Sequence, residues 1–257
     1  MRKNTFLTLS LCGMLCVAVS AQAAPLTNFD TWRGAADLGL WRTKASTDMI
    51  IVDGGNDFAA DWRLYGAMTY GLGGHWGLQY IYHGMASDED IMPDMRASVR
   101  VPGRQHIDYR GSTNELNLVY SLRKDGRAAL FIGANRVKNE LRIQGAGSLA
   151  GTRTHFQGGL TATAPLGHKW DAYGLVGVGS HGLFQGEAGF AYKMKDDWQA
   201  NIGYRWFRVK DAFDEITVLP CPPEKLGYSV GEIKVRGITF GVTHFFGSGA
   251  KKAVPRA

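Results

Sequence analysis

Four histidines and six acids in this chain are placed where they could move a proton. His83, His106, His155 and His181 fall near the ends of stretches that alternate polar and apolar residues. Asp88, Glu89, Asp90, Asp108, Asp211 and Asp214 fall near the same ends. A histidine beside an acid could activate water, or a serine, for attack on a carbonyl. No spacing motif fixes that geometry, so the acids are expected to be solvated loop charge and no catalytic residue is assigned. The run "ASDEDIMPD" (86–94) has oxygen ligands for Ca2+ but lacks the spacing of a calcium loop. No metal or cofactor is expected. "GLVGVGSHG" (174–182) has the glycines of a nucleotide loop but no Lys-Ser/Thr after them, and reads as strand glycines. A second set of charges, Asp37, Arg63, Glu115, Glu187 and Arg205, falls within the alternating stretches on their polar face. Charges enclosed in a narrow space are costly unless paired. The expectation is an ion-pair and hydrogen-bond plug, with a narrow selective pore as the alternative.

The elements that must carry these residues are strands. In "WQANIGYRWF" (198–207), Trp198, Ala200, Ile202, Tyr204 and Trp206 share one face, and Gln199, Asn201 and Arg205 the other. The same period of two recurs at roughly 34–43, 62–72, 76–86, 106–122, 127–140, 152–164, 169–179, 183–194, 198–210 and 232–246. All eight prolines fall outside these ten strands or at an end, as a hydrogen-bonded ladder requires. Connections alternate between short turns, "GGH" (73–75), "KDG" (124–126), "LGHK" (166–169) and "KDD" (195–197), and a second set at 44–61, 87–105, 141–151, 180–182 and 211–231. This is the pattern of an all-β, antiparallel up-and-down transmembrane β-barrel with short periplasmic turns and longer external loops. Ten strands are expected, with eight as the alternative, because the shortness of 180–182 leaves the count open.

Trp76, Trp170 and Trp198 each follow a short turn by a few residues, and so share one height. Trp62 and Trp206 belong nearer the other rim. Two aromatic girdles at the membrane interfaces follow. With tryptophans facing lipid, Leu78, Tyr80, Leu116, Phe190 and Ile202 also face out. Gln79, His83, Thr113, Asn117, Gln185, Asn201 and the charged set then face the lumen.

The N-terminus sets the compartment. Arg2 and Lys3, an apolar run from Phe6 to Val19, and Ala21-Gln22-Ala23 read as a signal peptide over residues 1–23. Cys12 and Cys16 lie within it, which leaves Cys221 alone in the mature chain. The net charge of +6 falls to +4 without Arg2 and Lys3, so nucleic-acid binding has little support.

"NIGYRWFRVKD" followed by a long loop and "VRGITFGVTHFF" resembles the last hairpin of small bacterial outer-membrane β-barrel proteins, the protein A-, Opa- and W-type barrels. That resemblance implies an assembly signal in the final strand, matched here by Phe240, Val242, His244 and Phe246. It implies the outer-membrane lipid bilayer and the barrel assembly machinery as partners. "GSGAKKAVPRA" (247–257) follows as a tail, so Phe246 is not the last residue. The expected function is a non-enzymatic integral outer-membrane barrel at residues 24–246, with loops for surface contact or a lumen for small solutes. The rivals are a barrel enzyme with a rim His/acid site, similar to lipid A deacylases or omptins, and a soluble periplasmic ligand-binding barrel. No extracellular ligand is assigned.

Overall fold

The computed structural model describes residue 29 and residues 32–47, 56–91, 105–122, 127–144, 147–213, 215–218 and 231–248. Residues 1–23, Cys221, Asp214 and the tail beyond 248 lie outside them. Twelve strands form one sheet: β1 (Trp32–Thr47), β2 (Asn56–Asp57), β3 (Ala59–Gly73), β4 (Trp76–Ile91), β5 (Gln105–Ser121), β6 (Ala128–Ile143), β7 (Gly147–Pro165), β8 (Trp170–Gly179), β9 (Phe184–Lys195), β10 (Trp198–Val209), β11 (Glu215–Val218) and β12 (Ile233–Ser248). Ten are long and pair with their chain neighbours. β1 also pairs antiparallel with β12, from Trp32↔Ser248 to Thr47↔Ile233, which closes the ring. The short β2 and β11 add to the ends of β1 and β7. β8 and β9 are separate strands joined by a single turn, Ser180–Gly182, so the count is ten and not eight.

Strands run further than expected at the long-connection end. β4 continues through Ala86–Ile91, and β6 and β7 are joined across only 144–146, where a loop over 141–151 is expected. The alternation explains it: Leu141 and Leu149 are buried inward-facing residues on these extensions, beside the buried Ile107 and Tyr109 of β5. At the short-turn end β12 runs on through Ser248, two residues past the expected end of the barrel. The turns at this end are tight. Gly73 and Gly74 have φ of 104° and 61°, a left-handed conformation that glycine adopts without steric cost.

The interior has three layers. At the short-turn end Val119, Ala129, Phe131 and Leu175 cluster, with Phe29 from the segment before β1 packed against them. At the other end is a larger apolar cluster that includes Phe58, Tyr109, Leu141, Phe207, Ile233 and Val235. Ala212 and Phe213, just beyond β10, are buried in it, and Asn139 Nδ2 donates to the Ala212 carbonyl over 3.3 Å. Between the two layers the interior is polar.

The exterior is the reverse. Leu64, Leu78, Leu116, Ile132, Phe190 and Phe240 are each more than two-fifths exposed. Trp76, Trp170 and Trp198 stand on this face at the short-turn end, against Tyr120, Tyr192 and His244 at centroid distances of 4.7, 5.0 and 4.6 Å. Trp62 and Trp206 stand on it toward the other end. The final strand's outward row Phe240, Val242, His244, Phe246 completes the face, and the Phe246 ring occupies the space that a side chain on Gly34 would need.

Candidate functional site

Among the described residues the middle layer holds a connected set of buried polar side chains. Arg205 projects inward from β10 at the register position of Glu187 on β9. Its Nη1 donates to Glu187 Oε2 at 3.1 Å and its Nη2 to Gln185 Oε1 at 2.7 Å. Nη2 also lies 3.4 Å from Glu115 Oε1 on β5, across the barrel. The guanidinium therefore bridges two carboxylates that lie far apart in the chain. All three side chains are at most 1% exposed.

Neutral groups complete both carboxylates. Glu187 Oε1 accepts from the Tyr173 hydroxyl at 3.0 Å and from the Thr239 hydroxyl at 3.2 Å. Glu115 Oε2 accepts from Gln157 Nε2 at 2.8 Å and Gln185 Nε2 at 3.1 Å. Gln157 also donates to Asn117 Oδ1 and accepts from Asn135 Nδ2. Charge-assisted bonds of this kind are what makes a buried charge tolerable. Two aromatic rings flank the network. The Arg205 guanidinium lies 5.8 Å from the Trp41 ring centroid, and Tyr65 stacks on His83 at 5.8 Å.

Of the five charges expected in the lumen, Glu115, Glu187 and Arg205 meet directly. Asp37 is buried on the same interior face, in register between Ala67 and Thr243. Arg63 does not join them. Its Nη2 lies 2.6 Å from Asp61 Oδ2, and both side chains are about two-fifths exposed. The cause is position: Arg63 falls where the register of β3 slips by one residue against β4, between Ala60 and Tyr65.

The histidine expectations also need correction. His83 is not at the rim. β4 continues eight residues beyond it, so it sits mid-barrel, with Nδ1 3.2 Å from Thr113 Oγ1 and 3.7 Å from Glu115 Oε1. His155 and His181 do meet, with ring centroids 5.8 Å apart. His155 Nδ1, however, bonds the backbone carbonyl of Ser180 at 2.9 Å and not its hydroxyl, which accepts from the Phe156 N–H. Asp108 is held by Arg110 at 2.8 Å and Asp211 lies 3.7 Å from Arg153. His106 stands opposite Asp90, and Asp88 opposite Asp108. Among the described residues no three His, Cys, Asp or Glu gather into a metal site.

Sequence reasoning missed Trp41, Tyr173, Gln157 and Thr239. Each stands on its strand's inward face, so the alternation already contained the signal. Trp41 in particular shares parity with Asp37, which separates it from the five girdle tryptophans.

No family model and no curated protein matches this chain. Solved structures do. The outer membrane protease OmpT from Escherichia coli superposes with a TM-score of 0.50 at 11% identity, over 88% of this chain and 100% of that one. The translocator domain of the autotransporter NalP from Neisseria meningitidis gives 0.47 at 11%, over 94% and 97%. Neisserial surface protein A gives 0.39 at 11%, over 83% and 97%. The chain has an outer-membrane β-barrel fold. Within that fold its interior carries a desolvated charge network, held between two apolar layers.

Proposed function

We propose that this chain is an integral, non-enzymatic protein of a bacterial outer membrane. Its lumen is closed by the side-chain plug, and its contacts are made by the outer face and the external loops. The inversion of polarity carries this reading: leucines and tryptophans outside, Arg205, Glu115 and Glu187 inside. A soluble ligand-binding barrel needs the opposite arrangement at mid-height. The size of the apolar band supports it too. From Trp62 to Leu72 is about 33 Å along the strand, or about 25 Å of height at a tilt near 40°, the thickness of an outer-membrane apolar band. A closed lumen fits the apolar layers above and below the network. A non-enzymatic role fits the engagement of His155 by backbone and of Asp108 and Asp211 by arginines.

Cell fractionation is expected to place the chain with the outer membrane, as a band that migrates faster unboiled than boiled. The same protein in a planar bilayer is expected to show no steady conductance. A soluble periplasmic chain without the shift overturns the membrane reading, and steady channel steps overturn the plug.

The outward row Phe240, Val242, His244, Phe246 serves in this reading as the signal for the assembly machinery, although the tail follows it. Phe246→Ala is expected to reduce the heat-modifiable fraction in cells while leaving refolding from urea into vesicles close to normal. An equal loss in both would make Phe246 a packing residue and nothing more.

A further inference from the structure

The lower apolar layer takes its strand side chains from one side of the ring. Val119 on β5, Ala129 and Phe131 on β6 and Leu175 on β8 supply them. At the same end β3 and β4 offer Gly71 and Gly77, which stand opposite each other on the inward face. Gly77 also stands opposite Val119. A glycine inside a strand has no side chain to pack and marks a close approach by something else. Here that is the Phe29 ring. A Cβ on Gly77 would press on Phe29 Cζ and lie 2.6 Å from Cε1 and 3.1 Å from Cε2. A Cβ on Gly71 would lie 3.2 Å from Phe29 Cβ and 3.3 Å from Cδ1. The ring fills the room that the two glycines leave and packs against the strand cluster.

Directly above the ring the interior turns polar. Thr69 and Gln79 are the next inward residues after Gly71 and Gly77 and stand in register. Gln79 Nε2 donates to Thr69 Oγ1 at 3.2 Å, and both residues are buried. Phe29 itself is half-buried and lies three residues before β1, outside the strands. The upper layer is built differently. Most of its residues stand on strands, and the Ala212 carbonyl is held by Asn139. The lower closure is thus completed by one ring, carried on the chain ahead of the barrel.

We propose that Phe29 is a removable cork, an autoinhibitory contact of the chain with its own lumen. Its withdrawal opens the polar layer to water and small solutes from the short-turn mouth, while the upper layer stays shut. The plug therefore has a gate on one side only. The proposal rests on the outer-membrane reading for the compartment that this mouth faces, the periplasm. The cork is a property of the folded chain and is tested apart from that reading.

The test is the rate at which a small charged methanethiosulfonate reagent modifies one cysteine in the folded protein in detergent. The reporters are Thr69→Cys, directly above the ring, and Ala45→Cys, buried in the upper layer. Each is placed in a Cys221→Ser chain freed of residues 1–23, so that it is the only cysteine. Phe29→Ala is expected to speed modification of the lower reporter about tenfold, the order that follows from losing half the burial of a phenyl ring. The upper reporter is expected to stay within about twofold, because its layer is not touched. Gly77→Ala is expected to act as Phe29→Ala does, since the new methyl evicts the ring. In a Phe29→Ala chain Gly77→Ala is expected to add nothing, because both changes remove the same contact. An unchanged lower rate in Phe29→Ala, equal acceleration of both reporters, or additive effects of the two substitutions overturns the proposal. Rates are read on chains that keep the unboiled gel shift. If Gly77→Ala loses the shift, Gly71→Ala, whose methyl also meets the ring, takes its place. A wild-type chain without the shift overturns the membrane reading. A shifted chain whose cork variants react like the wild type overturns this proposal alone.

Discussion

Replacing Arg205 with methionine is expected to cost the barrel about 3–5 kcal/mol, the usual penalty for removing one partner of a buried ion pair. Methionine fills much of the arginine's volume, so packing against Trp41 is largely kept. What disappears is the cation that Glu187 and Glu115 share at 3.1 and 3.4 Å. Both carboxylates then remain in a layer with apolar clusters on either side and little access to water. The measurement is the urea midpoint of the heat-modifiable band in lipid vesicles. Arg205→Lys keeps the charge but not the planar fork. It reaches one carboxylate well, so an intermediate loss is expected. Glu115→Gln and Glu187→Gln together, placed in the Arg205→Met chain, are expected to recover most of the loss, because no unpaired charge is left. An Arg205→Met midpoint within about 1 kcal/mol of the wild type would mean that the carboxylates are solvated and the lumen is wet.

The fold was largely legible, for a physical reason. Every strand of a barrel has two unlike faces, so each writes its own period of two, and all ten long strands carry it. Facing was legible from Trp76, Trp170 and Trp198, because their fixed offset from the short turns gives them one height. The site was legible only in part. Glu115, Glu187 and Arg205 stand at inward positions that alternation finds. Their meeting depends on the closed ring bringing β5 opposite β10, 90 residues apart in the chain, and no local spacing records that. Arg63 was misplaced because a register slip has no composition signature. His83 was placed at a rim because the end of β4 was set at residue 86, where polar residues begin, whereas backbone pairing with β5 continues to Ile91↔Gln105. Phe29 and Phe213 lie outside the long strands, so the packing of Phe29 against one end and the burial of Phe213 in the other follow from chain path alone.

Gly39→Val is expected to abolish the heat-modifiable band. β1 and β12 are the first and last long strands, and their pairing is the step that turns a sheet into a ring. Gly39 stands opposite Gly241 on β12 and opposite Tyr65 on β3, facing the interior. A Cβ at this position would press on the Phe240 carbonyl oxygen and lie 2.6 Å from Tyr65 Cε1 and 2.8 Å from the Gly241 Cα. Two of those three contacts are backbone, which no rotamer change relieves. The third is a ring fixed by its stacking on His83 and by the hydroxyl it donates toward Asn201 Oδ1 at 3.4 Å. Overpacking a relaxed core costs about 1–3 kcal/mol, and a clash on the closing seam adds loss of ladder hydrogen bonds to that. Gly174→Val, where the nearest atom to a new Cβ is 3.7 Å away, is the matched control and is expected to keep the band. Adding Tyr65→Ala to Gly39→Val separates the two sources of strain. Full recovery would assign the whole effect to the ring, whereas the backbone contacts predict that recovery is only partial. A Gly39→Val chain with a normal shift and an unchanged urea midpoint would contradict the β1–β12 register itself, since this pairing leaves no room for a side chain there without moving Gly241.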